Sequence, residues 1–294
     1  MDIPDFIYNW LVNYLHGRKH STHFKGVTSA AITINASVIQ GSVLGPADFI
    51  VGTSDLHPVH PQNRLSKYAD DSYLFIGSNH LATATDELQH ITNWSKEKNL
   101  RINSAKTREM VIVRRNKCSL STQPSISGVP RTTSIKALGV IIGEKLTITD
   151  HINKILCSGS ASLYAIRTLK AHGASVKELQ TITRATTISR MMYASPAWWG
   201  LASSRDKTRL EGFMNRLRRA GYLKPDDLTA ETLAQAADEA LFCAVQNNEL
   251  HVLRGLCPVQ REPLYNFRQR AHSFTLPDKD SVNFIPRMLY KNMY

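Results

Sequence analysis

Hydrophobic side chains recur every three to four residues near the start of the chain and throughout its second half. The segment 5–18 (DFIYNWLVNYLHGR) places apolar and aromatic residues on one face, which predicts a helix that ends near Gly17. The same period predicts a helix over about 80–98, ending around Asn99, a residue type that tolerates the left-handed conformation of a helix end. Between these helices, 32–46 begins as a strand and breaks at its glycines and proline.

The rest of the chain changes character at about residue 148. Before it, 109–115 and 136–143 are rich in β-branched residues and are predicted to be strands, and the polar, proline-rich 58–65 is predicted to be a loop. Helical periodicity follows in 151–173, 175–195, 208–221 and 229–250. We therefore expect a mixed α/β half and a helical half, with a border near 145–150 and an aperiodic tail from Cys257.

The composition is that of a globular protein. Hydrophobic residues make up 42% of the 294 positions and charged residues 20%, which excludes a disordered chain. No apolar run approaches the length of a bilayer crossing, and the first residues, MDIPDFIYNWLV, lack the basic start of a signal peptide. The four cysteines form no CxxC pair, which favours a reducing compartment and argues against a disulfide framework or a zinc ribbon.

Positive charge is concentrated in the middle of the chain. Residues 101–220 hold 21 Lys and Arg against 6 Asp and Glu, whereas the remainder holds 15 against 18. A basic block of this kind suggests a polyanionic partner such as a nucleic acid. On charge alone, a solvated basic surface remains the alternative.

Two adjacent carboxylates, Asp70 and Asp71, interrupt the β-branched and aromatic stretch LSKYADDSYLFIG. One interpretation is a β-hairpin with both aspartates in its turn, where Asp is a common residue. The other is a site for divalent cations, because Mg²⁺ binds carboxylates together with substrate phosphates. A pair of such ions can activate a hydroxyl and stabilise the leaving oxygen in phosphoryl transfer.

Four ordered blocks carry a family resemblance. They are IQGSVLGP (39–46), KYADDSYLF (67–75), NLRINSAKTREMVIV (99–113) and ALGVIIGEKLTITDHINKI (137–155). Together they resemble the reverse transcriptases of non-LTR retrotransposons of the LINE type, jockey- or CR1-like. The likeness continues through SRMMYASPAWWG (189–200) and into the tail, so it covers nearly the whole chain.

The resemblance implies an α+β fold in three parts. A partial polymerase palm, an antiparallel sheet with helices, would occupy 1–147, a helical thumb and connection 148–256, and a C-terminal tail segment 257–294. Its reaction would be attack of a primer 3′-hydroxyl on a dNTP, assisted by two Mg²⁺ ions. The partners would be an RNA template, a DNA primer and dNTPs, with no membrane. A nuclear location follows by association with retrotransposition, with the cytoplasm as the alternative and secretion not expected.

The resemblance also assigns residues to the reaction. Asp70 and Asp71 would be the catalytic, metal-ligating carboxylates of a YxDD hairpin. Lys106 would protonate or neutralise the leaving pyrophosphate, although a plain surface lysine is the alternative. The residues expected to line the nucleotide and template are Gln40, Gly41 and Tyr68. For Gly41 the absence of a Cβ permits close backbone approach, and an ordinary turn is the alternative.

Nucleic-acid contacts are implied for the second half. The stretch 136–146 would form the primer grip, through Leu138, Gly139 and Val140. Basic residues of the following helices would contact phosphates: Lys154, Arg167, Lys170, Arg184, Arg216, Arg218 and Arg219. The four tryptophans are expected to be core or packing residues rather than stacking platforms for bases.

The sequence departs from the family pattern at its start. The family's first catalytic aspartate precedes the segment matching helix 5–18, so it would fall before Met1, and Asp2 and Asp5 lie too close to the helix to replace it. Ile39 replaces a usual proline, and Asp48 interrupts a normally apolar helix. Two hypotheses remain: a polymerase palm and thumb, or a truncated, catalytically inactive remnant that binds nucleic acid. The missing aspartate favours inactivity of these 294 residues.

Overall fold

The computed structural model describes residues 3–34, 41–113, 125–126, 128–260 and 272–291. The chain forms two compact units. Unit 1 comprises Met1–Thr107 with Ile126–Val129, and unit 2 comprises Arg108–Ser125 with Pro130–Tyr294. Helices combine with small antiparallel hairpins, which confirms the α+β class. The palm, thumb and tail ranges stay predictions.

Unit 1 contains three α-helices, one 3₁₀ helix and three short antiparallel strand pairs among its described residues. Their bounds are α1 Asp5–Leu15, β1 Lys19–His20, β2 His23–Phe24, β3 Val27–Thr28, β4 Ile32–Thr33, α2 Gly45–Gly52, β5 Arg64–Tyr68, β6 Asp71–Phe75, a 3₁₀ helix Ser78–Thr83 and α3 Ala84–Glu97. Strand β1 pairs with β4, β2 with β3 and β5 with β6. The predicted loop 58–65 is confirmed for 58–63, whereas its last two residues belong to β5.

Local chemistry explains where these helices begin and end. Gly17, after α1, and Asn99, after α3, both have positive φ (64° and 54°), which confirms the predicted helix ends. Helix α2 begins at Gly45 with Pro46 in its first turn, where the missing N–H costs nothing. Asp48 also lies in this turn, where the helix dipole favours an acid, so the departure from the family's apolar pattern is compatible with a helix here.

Unit 2 is a hairpin followed by helices. Their bounds are β7 Ser134–Ala137, β8 Val140–Gly143, α4 Thr149–Ala171, α5 Val176–Ile182, a π-helical segment Thr183–Ile188, α6 Ser189–Met191, α7 Ser195–Trp198, a 3₁₀ helix Trp199–Leu201, α8 Ser204–Arg219, α9 Ala230–Asn247, a 3₁₀ helix Arg254–Leu256 and α10 Phe284–Tyr290. The predicted helical half is confirmed. Among the described residues, no helix has both the length and the apolar character that a membrane crossing requires.

Two strand predictions are wrong in detail. Residues 109–113 form only an isolated bridge, between Glu109 and Arg131, and 114–115 lie outside the described residues. The stretch 136–143 is not one strand, because Leu138 and Gly139 both have positive φ (46° and 95°). Two such residues make a tight turn whose twist matches the strands, so β7 and β8 form a hairpin.

The core of unit 2 is one continuous apolar cluster. It joins β8, α4, α5 and α8 through side chains that are almost fully buried, including Ile152, Leu179 and Leu217. Gly159 allows α8 to approach α4, because a Cβ there would lie 2.7 Å from Cζ of Phe213. A second cluster packs α10 and part of the tail around Phe242, Phe274, Ile285, Met288 and Leu289.

Candidate active site and nucleic-acid interface

The two aspartates lie at the tip of the β5–β6 hairpin. Tyr68 pairs with Asp71, so the turn consists of Ala69 and Asp70, and Asp71 is the first residue of β6. The prediction that both aspartates lie in the turn is therefore wrong by one residue, because the strand pairing extends as far as Asp71. Ala69 has a positive φ of 48°, an uncommon conformation for a residue with a Cβ. Both aspartates are exposed to solvent, as is Tyr68.

Two carboxylates make an incomplete metal site. Within the described parts of the chain, no group of three or more His, Cys, Asp or Glu side chains could hold a metal ion. Asp70 and Asp71 can still supply oxygen ligands to Mg²⁺, which commonly completes its coordination with water and substrate phosphates. The chemistry of the pair suits a divalent ion, and a third carboxylate would have to come from elsewhere.

A buried glutamate holds the loop that precedes the hairpin. Glu87 of α3 is fully buried and accepts hydrogen bonds from the amides of Val59 (3.0 Å) and His60 (2.9 Å) and from Nδ2 of Asn63 (2.9 Å). Burial raises the pKa of Glu87, but these hydrogen bonds outweigh burial, so its pKa lies below the ordinary value of 4.5. Lys67 of β5 donates to the Leu56 carbonyl at 2.9 Å, which joins the hairpin to the same loop.

The other predicted residues of unit 1 are scattered over its surface. Gln40, like Ile39, lies outside the described residues. Gly41 has φ of 82°, and an added Cβ would meet nothing within 4 Å, so its backbone conformation alone accounts for glycine there. Tyr68 is 65% exposed. Lys106 is exposed in a turn, where the carbonyl and side-chain oxygen of Asn103 accept from its amide.

The predicted primer-grip residues lie at the turn of the β7–β8 hairpin. Leu138 is 43% exposed and Gly139 lies beside it in the turn. Val140 is buried in the core of unit 2, so its side chain anchors the hairpin and is unavailable to a ligand. The turn therefore offers one exposed apolar side chain and a glycine backbone.

His151, on α4, is a buried residue that the sequence did not single out. The Ile141 amide donates toward its Nδ1 at 3.5 Å, and its ring lies edge-on to Trp198, with 5.4 Å between ring centroids. Burial lowers the pKa of His151, and the positive charge of Lys154 lowers it further. The imidazole is thus neutral near pH 7 and packs β8 against α4. No motif or periodicity in the sequence marked His151 as a contact of the hairpin.

The predicted phosphate contacts divide into two groups. Arg184 pairs with Asp227 through two bonds of 2.7 and 3.0 Å, and Arg218, only 14% exposed, pairs with Glu211 at 2.7 Å. These two arginines are occupied within the fold. Arg184 nevertheless keeps 44% of its side chain exposed. The remaining predicted residues are also exposed: Lys154, Arg167, Lys170, Arg216 and Arg219. A guanidinium committed to an internal carboxylate cannot also neutralise a phosphate at full strength.

Three arginines extend over α4 from neighbouring helices. Arg209 and Arg216, seven residues apart on α8, donate to Asn153 (2.7 Å) and Ser160 (3.1 Å), which are seven residues apart on α4. Arg190 of α6 donates to another serine of the same helix at 3.0 Å. Only Arg216 was predicted. The seven-residue spacing was visible in the sequence, but the asparagine and serine partners on α4 were not.

The tryptophans partly follow the prediction. Trp198 and Trp199 are buried in the core of unit 2, as expected of packing residues. Trp94 is half-buried and donates from its indole to Asp55 at 3.1 Å. Trp10, on α1, is 53% exposed and stacks on Tyr14, so it packs against a residue of its own helix and is not part of a core.

Comparison with known proteins supports the resemblance. The profile of the family "Reverse transcriptase (RNA-dependent DNA polymerase)" matches residues 1–142. The chain is 25% identical over 231 residues to the "Probable RNA-directed DNA polymerase from transposon X-element" of Drosophila melanogaster, covering 74% of this chain and 25% of the relative. The "Probable RNA-directed DNA polymerase from transposon BS" of Drosophila melanogaster is 27% identical over 237 residues, which cover 74% of this chain and 26% of the relative. The "RNA-directed DNA polymerase from mobile element jockey" of Drosophila melanogaster is 28% identical over 165 residues, which cover 52% of this chain and 18% of the relative. The chain thus spans about a quarter of the first two relatives.

Proposed function

We propose, on the premise that residues 1–142 are a reverse transcriptase domain of the retrotransposon type, that the chain binds a template–primer duplex through unit 2 and does not extend the primer alone. The duplex would consist of RNA template and DNA primer, as the resemblance to reverse transcriptases implies. By the same association we propose a nuclear location. The observation that carries the binding proposal is the set of cationic side chains along α4 and its neighbours.

The α4 surface suits a phosphate backbone for geometric reasons. A hydrogen bond from Arg216 to Ser160 fixes one guanidinium group on α4, the helix that also carries the exposed Lys154 and Arg167. Arg209 is held at Asn153 in the same way but also pairs with the buried carboxylate of Asp206 at 3.2 Å, so it contributes less to phosphate binding. Fixed cations lose little side-chain entropy when a ligand binds. Contacts to phosphates are independent of base sequence, which a polymerase that copies any template requires.

The proposal of inactivity follows from the metal site. Two-metal nucleotidyl transfer would use Asp70 and Asp71 of the hairpin as ligands, with Mg²⁺ stabilising the attacking and leaving oxygens. The described residues provide no third acidic, histidine or cysteine ligand beside this pair. We therefore expect metal binding that is too weak and too poorly oriented to support primer extension by these 294 residues.

The test combines binding with extension. The full chain is titrated with a fluorescent RNA–DNA duplex at increasing salt, and we expect log K to fall linearly with log salt. The double variant Lys154→Gln/Arg167→Gln should reduce that slope by about one for each phosphate that is no longer neutralised. The control Lys25→Gln/Lys177→Gln removes the same charge outside α4 and α8 and should leave the slope nearly unchanged.

The outcomes separate the parts of the proposal. A binding constant that does not respond to salt would remove the phosphate-contact assignment and leave a solvated basic surface. Incorporation of dNTPs in the presence of Mg²⁺, abolished by Asp70→Ala, would show that the chain is an active polymerase. We expect no incorporation by either protein.

A further inference from the structure

Tyr193, between α6 and α7, lies against the turn of the β7–β8 hairpin. Its hydroxyl donates to the Leu138 carbonyl at 3.3 Å. Its ring covers Gly139 so closely that an added Cβ would lie 3.2 Å from the ring's Cε1. The tyrosine is 57% exposed, so this contact is made at the surface of unit 2 rather than in its core.

The core fixes the backbone of Tyr193. Trp198, which is fully buried, donates from its indole nitrogen to the Tyr193 carbonyl at 2.9 Å. The following residue, Ala194, has a positive φ of 51°, which turns the chain into α7. The ring therefore extends from a backbone that the core holds in place, and it contacts the hairpin turn at Gly139.

We propose that Tyr193 is a positioning residue that holds the Leu138–Gly139 turn where it meets the end of the primer. This inference rests on the proposed function, duplex binding by unit 2, and on the primer-grip role that the resemblance implies for the turn. Val140 anchors one side of the hairpin in the core, and Tyr193 supports its tip from outside. Glycine suits position 139 for two reasons: its φ of 95° favours glycine, and the Tyr193 ring leaves little space for a side chain.

Support at the tip matters because a two-residue turn at the end of a short hairpin can move without disturbing the core beneath it. Holding it in one place removes the cost of ordering it when a ligand binds. The position of the primer terminus should then depend on Tyr193. The affinity for the duplex should depend instead on phosphate contacts along α4, which are separate residues.

The test measures affinity and primer position on the same samples of the full chain. An RNA–DNA duplex carries 2-aminopurine at the 3′ end of the primer and a second fluorophore at the far end of the template. We expect Tyr193→Ala to abolish most of the binding-induced change in 2-aminopurine emission. Its dissociation constant should change by less than about twofold, since phosphate contacts dominate affinity. Tyr193→Phe keeps the ring over Gly139 and should retain most of the emission change.

A matched control is Tyr8→Ala, which removes a tyrosine of similar exposure, 60%, from α1 of unit 1 and should alter neither signal. A normal 2-aminopurine response in Tyr193→Ala would overturn the inference and leave duplex binding standing. A loss of both thermal stability and duplex affinity in Tyr193→Ala would show that the residue has a structural role, and it would also overturn the inference. Failure of the unaltered chain to bind the duplex would overturn the proposed function and this inference together.

Discussion

Units 1 and 2 are stabilised by different interactions. Among the described residues of unit 1, the buried apolar side chains are Leu56 and Ala84, and the loop before the aspartate hairpin is held by hydrogen bonds to Glu87. Unit 2 buries a continuous apolar cluster. Burial contributes about 0.8 kcal/mol per CH₂ group, whereas a hydrogen bond contributes about 1 kcal/mol net. We infer that unit 2 is the more stable.

The difference bears on where function resides. A two-stranded hairpin is marginally stable by itself, and the aspartate hairpin of unit 1 consists of β5 and β6 only. Helix α1 buries none of its residues, and Phe6 is 73% exposed. Unit 2, in contrast, presents fixed arginines on a packed framework. A rigid unit suits binding, and segments with few apolar contacts are the ones that open most readily.

The largest effect should come from the core of unit 2. Leu217→Ala removes a fully buried side chain on α8 and should lower the free energy of unfolding by about 2–5 kcal/mol, through reduced burial and the cavity left behind. Chemical denaturation measures this change. Leu250→Ala, at a leucine that is 93% exposed, is the control and should change stability by less than about 0.5 kcal/mol. Equal effects of the two substitutions would contradict the comparison.

A smaller effect is expected at the polar centre of unit 1. Glu87→Gln replaces one acceptor oxygen with an NH₂ group that faces hydrogen-bond donors, which should cost about 1–3 kcal/mol. Native-state hydrogen exchange of β5 and α3 amides should reveal the destabilisation locally, with unit 2 unaffected. Glu97→Gln, at an exposed position of α3, is the control. If both variants exchange like the unaltered chain, the hydrogen bonds of Glu87 do not stabilise unit 1.

The smallest effect is the response of unit 1 to acid. The pKa of Glu87 is lowered in the folded state, so its contribution to stability is fully present above its ordinary value of 4.5 and is lost as pH falls through the folded pKa. Exchange rates of α3 amides, corrected for intrinsic chemistry, should therefore show destabilisation below pH 4.5. The Glu87→Gln variant should lack this part of the response. An unchanged acid response in the variant would assign it to other carboxyl groups.

Local patterns predicted the helices well because the information lies within a few turns. The period of apolar residues located α1, α3 and the helical half, and Asn99 marked a helix end through its tolerance of positive φ. Strands were predicted less well, because a strand exists only through its partner. Thus 109–113 has β-branched residues but makes a single bridge, and 136–143 folds back on itself at Leu138–Gly139.

The hairpin that carries the candidate site was predicted from the sequence, but the surroundings of the candidate residues were not. The YADD motif marked Asp70 and Asp71 as candidates, the hairpin is present, and the role of the two aspartates stays a prediction. The charge count could not show that Arg184 and Arg218 pair with carboxylates of the fold, because ion pairs depend on tertiary structure. Arg209, which extends over α4, was missed for the same reason.

The amino-acid sequence by itself determined the helices and the resemblance to reverse transcriptases that marks the two aspartates as candidates, since these depend on motif order and on short-range periodicity. Tertiary structure decided which charged side chains pair with each other, such as Arg184 with Asp227. It also decided that the buried Glu87 holds the loop before the β5–β6 hairpin and that Tyr193 contacts the turn of the β7–β8 hairpin. The physical reason is that hydrogen bonds and ion pairs act over a few ångströms in space. Such distances join residues that lie tens of positions apart along the chain.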